Sequence, residues 1–237
     1  MQDHILSTFT HSLARLRQDV LAMSSMARKN LAHAMRGLLE RDTNLCNEVI
    51  ASDHDINELE KSVDRLGMQI LVKFQPAAHD LRLVMGSIRV ASNIERIADQ
   101  AAGIAKRARL INGLPEFAEV RLIQPVYMLC DRNLEASLEA FLNADVDAAV
   151  SARLLDQELD AVEKEFERDL IAIMEAQAVG LEGYVHLLFI ARFLERIGDH
   201  AKNICEDTLF IERAEEGRLP QMKDDKELSL RATKSAK

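Results

Sequence analysis

An internal repeat constrains the fold of this chain more than any other feature. The segment NIERIADQAAGIA, beginning at Asn93, nearly returns as FLERIGDHAKNIC, beginning at Phe193, and both contain Glu-Arg-Ile-x-Asp. A shift of 103 residues aligns the earlier parts of the two halves, so that Asp53 falls on Asp156. After the loop at Pro76 the shift becomes 100. A shift that changes at a loop indicates two copies of one structural unit.

Apolar residues recur at intervals of three and four along six stretches of the chain, which predicts long amphipathic helices. The stretches run from Leu6 to Leu39, Leu45 to Phe74, about Asp80 to Leu110, about Glu116 to Leu142, Ala148 to about Gln177 and Tyr184 to Arg213. Asp42 is placed to cap the second helix, and Pro76 makes its continuation unfavourable. The chain is therefore predicted to be all-α, with two tandem, pseudo-twofold-related three-helix bundles.

The same pattern predicts the domain boundaries. Residues 1–111 form the first bundle and residues 112–213 the second. Residues 214–237 are mostly polar and lack the helical period, so we expect a flexible tail there.

The formal net charge of −9 excludes classes of partner. A nucleic-acid-binding protein needs a basic face, so nucleic acid is not expected, and an acidic surface suits a binder of cations. The three cysteines form no C-x-x-C pair, which indicates small buried side chains in a reducing compartment. No apolar run has the length of a signal peptide or a membrane span. We expect a cytoplasmic protein that meets membranes only through its partners.

The repeated motif places two like charges on one helix face. Glu95 and Asp99 are four residues apart, as are Glu195 and Asp199. Carboxylates at this spacing are neighbours and repel each other. A positive group is therefore expected beside each pair.

Counting residues along adjacent helices brings further oxygen donors to the same level as each pair. They are Asn57 and Glu60 in the first copy, and Asp160 and Glu163 in the second. Hard cations such as Mg²⁺, Mn²⁺ or Ca²⁺, and iron in carboxylate-rich sites, take such donors. The spacing is also compatible with ordinary surface ion pairs, in which Arg96, Arg196, Lys61 and Lys164 neutralise the acids.

Two other metal sites are excluded by their motifs. Residues 53–64 resemble an EF-hand loop at the first ligands, but Glu58 stands where the loop needs glycine and Asp64 where it needs glutamate. A di-iron site of the ferritin type needs E-x-x-H, whereas Glu182 and His186 are four apart. The sequence has no phosphate-binding glycine loop, no G-x-S-x-G motif and no Cys/His pairing, so no catalytic constellation is expected.

Residues 75–82 (QPAAHDLR), 93–101 (NIERIADQA) and 193–204 (FLERIGDHAKNI) resemble signatures of the PhoU family, the phosphate-transport accessory and regulatory proteins. The likeness covers about residues 5–213. It implies two pseudo-symmetric three-helix bundles whose E/D-x-x-x-D motifs hold metal. By position these motifs are Glu95 to Asp99 and Glu195 to Asp199. The metal's identity is left open among iron, manganese, magnesium and zinc.

The resemblance also implies a function. It indicates a non-enzymatic regulator of phosphate uptake and phosphate-starvation signalling that binds the transporter's ATP-binding subunit and a sensor histidine kinase. Apolar positions along six long helices favour a homodimer. The alternative is a metal-dependent enzyme that uses the carboxylates for phosphoester or redox chemistry.

Overall fold

A computed structural model describes residues 2–176 and 180–214. Within these ranges the chain forms six α-helices and no strand, which confirms the predicted all-α fold. The helices are α1 (Gln2–Leu39), α2 (Thr43–Phe74), α3 (Ala78–Asn112), α4 (Gln124–Asn143), α5 (Val146–Ala176) and α6 (Leu181–Arg213). Gln177 and all but the first residue of the predicted tail lie outside the described residues.

Both predicted boundaries of α2 are confirmed. Asp42 accepts hydrogen bonds from the backbone N–H groups of Asn44 and Leu45, at 2.9 and 3.3 Å, and so caps the helix. The helix ends at Phe74 because Gln75 turns to the left-handed conformation, with φ 46°, ahead of Pro76. Residues 53–64 lie inside this helix, which excludes the EF-hand loop directly.

The predicted start of the fourth helix is wrong. We expected it near Glu116, but residues Ala118–Ile123 form a separate 3₁₀ helix and α4 begins at Gln124. Pro125 lies in the first turn of α4, where a backbone N–H would have no partner in any case. Inside a longer α-helix its ring would clash with the carbonyl group four residues earlier.

Helices α1 to α3 pack together, as do α4 to α6, and the most extensive contact between any two helices joins α3 to α6. The Arg82 Nε near the start of α3 donates to the Ile211 carbonyl oxygen near the end of α6, at 2.9 Å. At the other end, Arg107 Nη1 lies 3.1 Å from His186 Nδ1. The two helices therefore run antiparallel.

The α3–α6 contact shows the twofold relation directly. The Phe193 ring packs against Gly103, where an added methyl group would lie 2.9 Å from the ring. Shifting this pair by 100 residues gives Asn203 and Asn93, whose side chains are joined by a hydrogen bond of 3.4 Å. Each copy thus presents the same patch to the other, as in the isologous interface of a homodimer.

The three cysteines are buried, as the sequence predicted. Cys46, Cys130 and Cys205 are free thiols and are fully buried. None of the helices in the described ranges has an apolar stretch that could cross a membrane.

We predict that Gly86→Ala destabilises the protein through the α3–α6 contact. A methyl group on Gly86 would lie 2.4 and 2.5 Å from the Ile211 side chain, which is buried. Overpacking of this kind costs about 1–3 kcal/mol, against a gain in helix propensity of about 1 kcal/mol. Urea unfolding should show a net loss of up to about 2 kcal/mol.

Two further variants test the cause of that loss. Gly113→Ala, at a helix end with φ −79°, should change stability little. Adding Ile211→Ala to Gly86→Ala should cost less than the sum of the single changes, because the new methyl group fills part of the cavity. Strict additivity would contradict the predicted clash.

Candidate metal centre

Four carboxylates from two helices form the first acidic cluster, which comprises Asp53 and Glu60 of α2 with Glu95 and Asp99 of α3. Burial raises the pKa of Asp53, and the neighbouring Asp99 raises it further. Burial likewise raises the pKa of Glu95, with additional contributions from Asp99, Glu60 and Asp53. These four side chains are therefore close enough for their charges to interact strongly.

The second acidic cluster contains six carboxylates. They are Asp156, Asp160, Glu163 and Glu167 of α5 with Glu195 and Asp199 of α6. Burial is the main cause of the raised pKa of Glu195 and Asp199, and the other acids of the cluster add to it. Burial, then Glu167 and Glu195, raise the pKa of Glu163 from an ordinary 4.5 to about 7.

Seven of the eight predicted site residues lie in these two clusters. The eighth, Asn57, lies half-buried on the same face of α2, one turn after Asp53. The structure thus brings the predicted acids of α2 near those of α3, and the predicted acids of α5 near those of α6. Whether these residues bind metal is a separate matter, treated under Proposed function.

Sequence reasoning left two central acids out of the predicted ligand set. Asp53 faces Asp99, and Asp156 faces Asp199. Both acids begin a series of polar residues at intervals of four, three and four, which marks one face of each helix. The series is Asp53, Asn57, Glu60 and Asp64 in α2, and Asp156, Asp160, Glu163 and Glu167 in α5. The spacing of this series was enough to identify both acids as candidate ligands. Counting residues by helix rise instead selected ligands one and two turns further along each helix.

The cations beside the clusters include two of those expected for ordinary ion pairs, because the charges of Arg96 and Arg196 lower the pKa of Glu95 and of Glu195. Lys61 binds Glu58 at 2.8 Å, away from the first cluster. In the second cluster Lys202 Nζ donates to Asp156 Oδ2 at 3.0 Å, and Arg192 Nη1 lies 3.6 Å from Glu195 Oε2. The ion-pair interpretation therefore holds in part. Arg96 and Arg196 act through charge, as expected, but the paired cations of the second half are ones that spacing did not select.

Buried carboxylate oxygens without partners within the described ranges occur in the second cluster. In the second cluster Asp156 Oδ1 and Glu163 Oε1 have no hydrogen-bond partner among the described residues, although these residues are only 4% and 3% exposed. Asn30 of α1 and Asn133 of α4 are buried at equivalent positions, and each likewise has an unpaired Nδ2. Unpaired buried acceptors are unfavourable, so these oxygens are suited to a cation.

The side chains do not form a finished coordination shell. Among the described residues, no three His, Cys, Asp or Glu side chains are arranged to hold a metal ion as they stand. Mutual repulsion separates ionised carboxylates when no cation lies between them. The donor set is nevertheless chemically suitable, because it consists of carboxylates with nearby amides, the ligands of hard cations.

Comparison with known proteins places this architecture in a family. The family model described as "PhoU domain" matches residues 20–108 and again residues 126–208, which together exceed half of the chain. The chain belongs to the PhoU family. The two matches correspond to the two halves of the repeat.

Relatives in the PhoU family align along nearly the whole chain. Proteins named phosphate-specific transport system accessory protein PhoU homolog from Xylella fastidiosa and Rhizobium meliloti are each 32% identical. The alignments cover 94% of this chain in both cases, and 92% and 94% of the respective relatives.

Solved PhoU structures share the fold. The crystal structure of PhoU from Pseudomonas aeruginosa has a TM-score of 0.84 at 30% identity and covers 87% of this chain and 100% of that one. The phosphate transport system regulatory protein PhoU from Streptococcus pneumoniae has a TM-score of 0.81 at 28% identity, covering 89% and 100%. The PhoU fold thus extends over both halves and over the helices that carry the acidic clusters.

We predict that Glu163 makes the stability of the metal-free protein depend on pH. Its pKa is about 7 in the fold and 4.5 ordinarily, so between these values the folded state binds more protons than the unfolded chain. Its contribution to stability is therefore full below about pH 4.5 and is lost as pH rises through about 7. In EDTA, the Tm should fall between about pH 5 and 8, and Glu163→Gln should reduce this fall.

The control is Glu165→Gln, which removes an exposed carboxylate from the same helix. It should leave the pH dependence of the Tm as in the unchanged protein. Equal slopes for Glu163→Gln and the unchanged protein would contradict the assignment.

Proposed function

We propose that this protein is a non-enzymatic regulator of phosphate uptake and of phosphate-starvation signalling. It acts by binding the ATP-binding subunit of a phosphate transporter and a sensor histidine kinase. Divalent or trivalent cations bind at the two acidic clusters and bias which of these complexes forms. Its relatives are named phosphate-specific transport system accessory proteins, which supports the phosphate-transport part of the proposal.

The observation that carries the cation part is the pair of acidic clusters at equivalent positions of the repeat. In each half, carboxylates from two helices have raised pKa values because they are partly buried together. Clustered carboxylates without sufficient counter-charge favour any conformation or complex that supplies positive charge. A bound cation supplies it directly.

Cation binding would alter the surface that partners meet. Asp99 and Asp199 are exposed, while Glu95 and Glu195 beside them are half-buried, so each cluster opens to solvent on the side of its bundle. A bound cation reduces the negative potential of that surface and holds two helices at a set separation. It can shift the choice between partners only if its affinity differs between the two complexes.

The cellular setting belongs to the same proposal. An ATP-binding subunit and the catalytic part of a sensor kinase use cytoplasmic ATP, so we place the protein in the cytoplasm. We also propose a homodimer. Among the described helices, exposed apolar side chains such as Met68, Val72 and Met128 are available for such a contact.

The enzyme alternative has less support in the structure. A groove of about 1000 Å³ lies between α2, α3 and α6, and its walls include Met68, Arg89 and Phe210. The acids of the two clusters do not line it. Carboxylates on the open side of a helix pair lack the enclosed pocket that substrate binding normally uses.

The test is a binding assay with the two purified partners from the same organism, in EDTA and in Mn²⁺. We expect both partners to bind and their relative affinities to change by about tenfold or more with Mn²⁺, which corresponds to about 1.4 kcal/mol of coupling. The quadruple variant Glu95→Gln, Asp99→Asn, Glu195→Gln and Asp199→Asn should bind without responding to Mn²⁺.

The matched control is Glu58→Gln with Glu165→Gln, which removes exposed acids outside the clusters. It should retain the Mn²⁺ response. Absence of binding to both partners, with and without Mn²⁺, would refute the regulatory proposal. Turnover of phosphoesters by the Mn²⁺-loaded protein, lost in the quadruple variant, would support the enzyme instead.

A further inference from the structure

The two acidic clusters differ in their paired cations. Arg192 Nη1 lies 3.6 Å from Glu195 Oε2 at the exposed side of the second cluster, where the repeat places Ser92 in the first half. In the second cluster the ammonium group of Lys202 donates to Asp156 Oδ2 at 3.0 Å. The repeat places Ala102 at the equivalent position of the first half. Among the described residues, no lysine or arginine forms a hydrogen bond or ion pair with Asp53, Glu60, Glu95 or Asp99 of the first cluster. Lys106 and Arg96, both exposed, act on Asp53 and on Glu95 respectively through their charges alone.

A close approach of two helices explains why the second cluster contains this lysine. Gly198 of α6 stands where α3 has Ala98. A methyl group on Gly198 would lie 2.5 Å from Leu159 Cδ2 and 3.3 Å from Asp156 Oδ1. The glycine therefore leaves room for Leu159 and Asp156 of α5 against α6, and Asp156 is buried while its counterpart Asp53 is only half-buried. A buried carboxylate without a partner is strongly destabilising, and Lys202 provides that partner.

Lys202 neutralises only part of the negative charge of the second cluster. It bonds one oxygen of Asp156, whereas Asp156 Oδ1 and Glu163 Oε1 remain buried without hydrogen-bond partners in the described part of the chain. These oxygens belong to side chains that are more than nine-tenths buried. The second cluster thus contains buried oxygens that are suited to a cation, but the ammonium group of Lys202 already lies beside them.

We propose that Lys202 is a tethered cation that competes with free metal for the second cluster, so that the two halves have unequal metal affinities. The first half binds metal at the lower free concentration. The second half binds it only when Lys202 moves away from Asp156, because two cations at this distance repel each other. This inference rests on the cation binding of the proposed function and adds a graded response to it.

The test measures Mn²⁺ binding to each half within the full chain, by calorimetry and electron paramagnetic resonance. The double variant Glu95→Gln, Asp99→Asn removes metal binding from the first half. The double variant Glu195→Gln, Asp199→Asn removes it from the second half. We expect the second half, measured alone, to bind Mn²⁺ at least about tenfold more weakly than the first half measured alone. Lys202→Met in the background that retains the second half should recover at least about tenfold of that difference.

A stability measurement accompanies the titration. In EDTA, Lys202→Met should lower the Tm, because Asp156 loses its partner, and Mn²⁺ should raise the Tm of this variant more than that of the unchanged protein. The control Lys164→Met removes an exposed lysine next to Glu163 and should leave both affinities unchanged.

The outcomes separate this inference from the proposed function. Equal affinities of the two halves, or no change with Lys202→Met, would overturn the role of Lys202 while leaving metal binding and partner binding intact. The role of Lys202 would also be overturned if the variant that retains only the second half and carries Lys202→Met did not bind Mn²⁺. This holds whatever the partner assays show. If the partners do not bind but Lys202→Met strengthens Mn²⁺ binding as expected, the inference stands and the regulatory proposal falls.

Discussion

The antiparallel packing of α3 against α6 is the contact on which the rest of the structure depends. These two helices carry the repeated motif, and each also forms one side of an acidic cluster within its own bundle. Small residues permit the close approach, since Gly86 meets Ile211 and Gly103 meets the Phe193 ring. Because the contact is pseudo-symmetric, it holds both clusters at equivalent places on the two bundles. Each cluster therefore has one helix anchored in the centre of the molecule and one outer helix, α2 or α5.

The duplication explains the equivalence of the clusters, and local changes in packing explain their difference. Gly198 stands where the first half has Ala98, and it leaves room for Leu159 and the buried Asp156 of α5 against α6. Lys202 then compensates a charge that the first half leaves closer to solvent. A single methyl group in one helix–helix contact is thus linked to the electrostatics of a potential cation site. Two sites of unequal affinity would respond over a wider range of metal concentration than two identical ones.

Much of the architecture was predictable because the signals are local. The three- and four-residue period identified all six helices, and Asp42 and Pro76 marked the ends of α2 through capping and through the missing N–H group. The start of α4 was missed because its apolar pattern continues upstream, whereas Pro125 limits the α-helix. Seven of the eight predicted site residues lie in the two clusters. Asp53, Asp156 and Lys202 were missed because facing partners depend on the tilt and rotation of neighbouring helices, which helix rise alone does not specify.

By itself, the sequence determined an all-α fold with a twofold internal repeat, the level at which acids would gather and the family to which the chain belongs. These properties follow from periodicity and from motifs, which are carried by residues near each other in the chain. Only the tertiary structure decided that the two bundles join through α3 and α6, and that Asp156 lies buried against Lys202. Those features arise from side-chain volumes at helix crossings, which decide whether a carboxylate is buried or hydrated and which the sequence alone does not specify.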